Sequence, residues 1–132
     1  MADAVTTNIL RSQTRGRRYA VHLTGISDGT GETNVVKVDK STLTDPSGAE
    51  PGRFGIVSVR WNVQNFTYVK VSTDHTTDDT MLVLTGNGYD CFEEYGALYD
   101  PNSAGGTGDL LLSTVGPTSG ATYDITIELS LS

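Results

Sequence analysis

The chain has 132 residues, a formal net charge of −7 and a single cysteine. That length suits one domain with one hydrophobic core, the lone Cys91 excludes an intrachain disulfide, and the acidity argues against nucleic-acid binding, whose affinity rests on Lys and Arg. No apolar run approaches the roughly 18 residues that span a bilayer and no apolar h-region opens the chain, so synthesis in a cytoplasm and no membrane partner are expected.

The charge is uneven. Residues 1–18 carry Arg11, Arg15, Arg17 and Arg18 against Asp3, a net of +3, and the remainder holds 5 basic and 15 acidic residues, a net of −10. The opening segment, "MADAVTTNILRSQTRGRRY", has Ile9 and Leu10 but no sustained period. It reads as an extended basic arm over residues 1–18 that orders against a partner or a neighbouring subunit. Ile9, Leu10, Arg11, Arg15, Arg17 and Arg18 are its candidate contacts, and a frayed terminus is the alternative.

A single β domain is expected over residues 19–132. "YAVHLTGI" alternates, with Tyr19, Val21 and Leu23 on one face and Ala20, His22 and Thr24 on the other, the period-2 signal of a strand. "SDGTGETNVVKVDKS" then poses a choice between a phosphate cradle and a turn. A cradle needs glycines that open a helix, whereas Val35, Val36 and Val38 favour a strand. Asp28 and Glu32 would repel a phosphate and lack the regular ligand run of a calcium loop. A tight hairpin turn at Asp28–Gly31 is therefore expected, Asp-Gly supplying positive φ.

"RFGIVSVRWNV" is the clearest strand, with Phe54, Ile56 and Ser58 opposed to Gly55, Val57, Val59 and Trp61, and "NFTYVKVS" follows a turn at Gln64 and Asn65. The pair reads as a hairpin. "STDHTTDD" offers Asp74, His75, Asp78 and Asp79 as metal ligands, but their spacing matches no tight site and a solvated loop explains them; no metal or other cofactor is expected. "TMLVLTG" and "GDLLLSTVG" are further strands. "TYDITIELSLS" is the last, with Tyr123, Ile125, Ile127, Leu129 and Leu131 on one face.

Between them, Gly86 to Gly108 reads as one long irregular loop, where a site would sit. Cys91 is a poor nucleophile, because Asp90, Glu93 and Glu94 disfavour its thiolate. The adjacent Glu93 and Glu94 could serve acid–base chemistry, but such pairs are ordinarily a solvated face. No enzyme is expected. Tyr89, Phe92, Tyr95 and Tyr99 form either a sugar-stacking platform or, the preferred reading, an interface that packs the loop onto the body or a neighbouring subunit.

Seven strands separated by turn residues, with no helical stretch, predict an all-β, antiparallel β-sandwich, jelly-roll-like, with an extended N-terminal arm. The segments "VHLTGISDGTGETNVVKVD", "VSVRWNVQ", "LVLTGNGYDCFEEYGALYDPNSAGGTGDLLLSTVG" and "ATYDITIELSLS" resemble a group of small tailed-bacteriophage virion structural proteins. The resemblance covers residues 19–132 and is to proteins like the capsid decoration, or cement, proteins. It implies a place on the outside of the capsid shell, the major capsid protein as partner, and a homotrimer at junctions between capsomers. It carries no catalytic residues. A tail-tube or head-completion protein is the structural alternative, and a carbohydrate-binding module on the virion is the binding alternative.

Overall fold

In the computed structural model, the described residues are 4–11, 18–40, 54–74, 79–92, 94, 97–99, 108–116 and 118–131. They form ten strands and no α-helix: β1 (Ala4–Arg11), β2 (Arg18–Asp28), β3 (Val35–Val38), β4 (Phe54–Gln64), β5 (Tyr68–Thr73), β6 (Asp79–Leu84), β7 (Gly86–Cys91), β8 (Leu98–Tyr99), β9 (Leu110–Val115) and β10 (Ser119–Leu131). The seven strands expected from periodicity are all present, and β1, β7 and β8 are additional. Two antiparallel sheets result. The six-stranded sheet runs β1-β2-β10-β4-β7 with β8 also on β4, and the four-stranded sheet runs β3-β9-β5-β6.

Strand β10 organises the larger sheet, pairing with β2 on one side and β4 on the other. Its alternation places Tyr123, Ile125, Ile127 and Leu129 on one buried face. They share a core with Val21 and Leu23 of β2, Val59 and Val63 of β4, and with Val69, Val71, Leu110 and Leu112 from the smaller sheet. Each such side chain contributes about 1.5–3 kcal/mol on burial, so this shared core is the main cohesion between the sheets.

The alternation expected for β4 is corrected by a bulge. Ile127 faces Val59 and Glu128 faces Ser58, but Leu129 faces Ile56, leaving Val57 as an extra residue. Ile56 therefore joins Val59 and Val63 in the core instead of opposing them. Val57 is also buried, outside that core, and its carbonyl accepts a hydrogen bond from the Phe92 amide at 2.7 Å.

Two hairpins expected from turn chemistry are not formed. Gly29 and Gly31 do take positive φ, 101° and 82°, and the Asp28 carboxylate accepts from the Thr30 amide at 3.0 Å, but β2 and β3 belong to different sheets. Asn65 likewise turns the chain at φ 67°, yet β4 and β5 are in different sheets, because β10, β7 and β8 occupy both sides of β4. Local turn residues set where the chain reverses; long-range pairing sets which strand it meets.

The loop expected over residues 86–108 is also corrected, since β7 and β8 are strands within it. β7 is an edge strand whose residues are exposed or half-buried, so it carries no apolar alternation to read. In the N-terminal segment, expected as an arm ordered by a partner or a neighbouring subunit, Ala4–Arg11 forms β1, which pairs with β2 of its own chain from Ala4↔Ile26 to Arg11↔Ala20.

The β2–β3 crossover holds a buried carboxylate. Glu32 is 8% exposed; its Oε1 accepts from the Tyr123 hydroxyl of β10 at 2.5 Å, and its Oε2 lies 2.7 Å from Lys37 Nζ of β3, both side chains being almost fully buried. That second contact is a charge contact outside hydrogen-bond geometry. The Glu32 backbone exchanges two bonds with Thr114 of β9, at 2.8 and 2.9 Å. Removing one partner of a buried pair strands the other charge at a cost of about 3–5 kcal/mol. Glu32→Gln is therefore expected to lower unfolding stability by that order in urea denaturation, and the double replacement Glu32→Leu/Lys37→Leu to recover much of it. A Glu32→Gln variant as stable as the parent would contradict the clamp.

Candidate functional site

The outer face of the six-stranded sheet, turned away from the core, carries an ordered set of polar side chains. Residues directly opposite one another on neighbouring strands share a face, so the register defines rows that cross the sheet. One row is Asn8, His22, Thr126, Arg60 and Tyr89; the next is Thr6, Thr24, Asp124, Asn62 and Asn87. On the other side of the first row, Ala20, Glu128, Ser58 and Cys91 align. Hydroxyls and amides predominate, with Arg60, Asp124 and Glu128 as formal charges and one aromatic ring at the β7 end.

The charged groups are tied to neighbours. His22 Nε2 lies 2.6 Å from Asp124 Oδ1. The Arg60 guanidinium sits 5.3 Å from the centroid of the Tyr89 ring, a cation–π distance. Asn62 Oδ1 accepts from Gln64 Nε2 at 2.9 Å. Tyr89 is 59% exposed, and a hydrogen bond with the Cys91 side chain is the first cause holding its phenol above the ordinary value. Shallow depressions lie along this face. One of about 470 Å³ is lined by Asn62, Asn87, Tyr89 and Asp124 among others; one of about 520 Å³ includes Thr6, Thr24, Asn62 and Asp124; one of about 250 Å³ includes Ser58, Arg60, Tyr89 and Glu128. The first and second share Asn62 and Asp124, the first and third share Arg60, Tyr89 and Thr126, and the second also reaches Val5 of β1.

Trp61 closes the β7 end from the core side. Its Nε1 donates to the Thr85 carbonyl at 2.9 Å, and a Cβ at Gly88 would lie 2.7 Å from the indole, so the ring occupies the space that any larger residue there would need.

The candidate residues from sequence are distributed as follows. Tyr89 lies on the outer face, and Phe92 is half-buried and packs against the core. Tyr99 is in β8 opposite Gly55, and Tyr95 lies outside the described residues. A four-residue aromatic platform is therefore not assembled among the described residues. Ile9 and Arg11 are in β1 opposite Val21 and Ala20, with Leu10 the extra residue at a register irregularity, and Arg18 opens β2 opposite Ser130. Arg15 and Arg17 lie outside the described residues.

Cys91 is a free, exposed thiol. Of the potential metal ligands, Asp74 bonds through its backbone to Gly108 and Asp109, His75 and Asp78 lie outside the described residues, and Asp79 begins β6. Among the described residues no His, Cys, Asp and Glu group of three or more could hold a metal ion, and no helix is long and apolar enough to cross a membrane. The outer-face residues His22, Arg60, Asn62, Asp124 and Thr126 were not legible as a site, although their alternation with buried neighbours marked them as outward-facing.

No protein-family model, curated protein or solved structure matches this chain.

Gly88→Ala is expected to displace the indole of Trp61, the chain's single tryptophan, shifting its fluorescence and costing about 1–3 kcal/mol. Unchanged emission and stability would contradict the close approach.

Proposed function

We propose that this chain is a structural protein of a tailed-phage virion that decorates the outside of the capsid and stabilises it, with the two sheets stacked as a jelly-roll-like β-sandwich. The observation that carries this reading is the edge formed by β1. It ends the six-stranded sheet, with β2 as its only strand neighbour among the described residues. The four side chains described on it, Val5, Thr6, Thr7 and Asn8, are all exposed. Residues 4–10 contain no proline and no charge, the two commonest devices that keep a sheet edge from pairing with another chain.

Such an edge can accept a strand from the capsid protein or from a neighbouring copy, backbone hydrogen bonds supplying affinity and alternate side chains specificity. Arg11 ends β1 and Arg18 opens β2, with Arg15 and Arg17 between them in sequence, and arginine as a residue type pairs well with the carboxylates of a partner. Each contact need be only modest, because repetition over a symmetric shell multiplies it. The placement on a phage capsid is the expectation drawn from the sequence of residues 19–132 and is part of this proposal.

The edge is tested by Val5→Lys/Thr7→Lys, which puts charge on the strand without touching the core. Since both sites are exposed, thermal unfolding is expected to stay near that of the parent. Binding to shells lacking the protein is expected to fall by about tenfold or more, equivalent to about 1.4 kcal/mol. Full occupancy by the folded variant would overturn the role of β1.

A further inference from the structure

We propose that the outer face of the six-stranded sheet binds neutral saccharide chains, with Tyr89 as the stacking platform and the row running through Arg60 and Thr126 to His22 as the polar track. This goes beyond attachment to a shell and uses a different surface. Val5 and Thr7 stand opposite Gly25 and Leu23, on the face of the sheet that includes the core residues. The proposed site is on the other face.

A pyranose ring presents an apolar C–H face and a periphery of hydroxyls. It is matched by an aromatic ring flanked by groups that donate and accept hydrogen bonds. Tyr89 is 59% exposed, and the Arg60 guanidinium 5.3 Å from its ring centroid biases its orientation by about 0.5–1 kcal/mol, the worth of an exposed cation–π contact. Beside it lie Asn62 and Asn87, which can each donate and accept, and Asp124, oriented by its 2.6 Å contact with His22. Two depressions free of Val5 share Arg60, Tyr89 and Thr126 and lie along the polar track, reaching Ala20 of β2. From β2 to β7 it crosses three strand spacings, about 14 Å, which accommodates more than one sugar ring.

The chemistry selects among partners. A phosphate polymer is disfavoured by the net charge of −7 and by Asp124 and Glu128 on the face itself. The centre of a protein interface is ordinarily apolar and depleted in charge, whereas the exposed large hydrophobics on this face are Ile26 and Tyr89, at opposite ends. Neutral hydroxyl-rich ligands fit the hydroxyls, amides and single ring of this face, with Arg60 able to donate to, and Asp124 to accept from, ligand hydroxyls. Binding at one copy is expected to be weak and to gain strength through display of many copies.

The test is an NMR titration of the full chain with maltohexaose, cellohexaose and mannohexaose as probes, each raised to about 10 mM, well above a Kd of about 1 mM. At least one is expected to perturb amides of β4, β7 and β10 around Asn62, Asn87 and Thr126. Tyr89→Ala is expected to weaken that binding about tenfold or more, and Tyr89→Phe to preserve it. Because Tyr89 is exposed, folding of both variants is checked directly from the same spectra. Absence of any perturbation by all three probes, or equal binding by Tyr89→Ala, would overturn the proposal. Shell binding by the same variants is measured separately, so failure here does not decide the role of β1.

Discussion

A carboxylate withdrawn from water is tolerable only where charge and hydrogen bonds replace its hydration. Glu32 meets that condition through Tyr123 and Lys37, and its backbone is held by Thr114. These partners belong to β10, β3 and β9, so a single residue in a crossover is fastened to the middle of the larger sheet and to two strands of the smaller one. The apolar core drives the sheets together without direction. The clamp adds direction, fixing how the crossover sits against Tyr123, whose ring also covers Gly25 so closely that no Cβ fits there. β2 and β10, with β4 beside β10, carry most of the outer face.

The strands with one buried face were legible because burial writes a period of two into the sequence. Tyr19, Val21 and Leu23 in β2, and Tyr123 to Leu129 in β10, are the clear cases. β1 and β7 were not legible as strands, since exposed edges impose no such pattern; β7 reads "GNGYDC", which resembles a loop by composition. Sheet membership was not legible either. Asp28-Gly29 and Asn65 signal reversals correctly, but whether the following strand pairs with its predecessor or crosses to the other sheet depends on residues far away in sequence. The extra residue at Val57 inverts the phase of β4 midway, and only the partner strand β10 reveals it.

The same distinction governs the site. Tyr89 stood out as an aromatic in a polar stretch, and the outward positions of His22, Arg60, Asp124 and Thr126 follow from alternation. What sequence could not supply was adjacency. His22 and Asp124 are 102 residues apart, and Arg60 meets Tyr89 only because β7 lies beside β4. In sequence Glu32 bears only on phosphate and calcium binding, and its burial depends on partners 82 and 91 positions away.

The proposed roles rest on two surfaces of the larger sheet, the β1 edge, uncharged over residues 4–10, and the polar outer face. Shell decoration requires such a protein to be present in numbers set by capsid symmetry. The most direct measurement of the proposed role is quantitative mass spectrometry of virus particles purified from the source that produces the chain, comparing its abundance with that of the major shell protein. The account predicts about one copy per capsid subunit, or a simple fraction of it. A few copies per particle, or none, would contradict it.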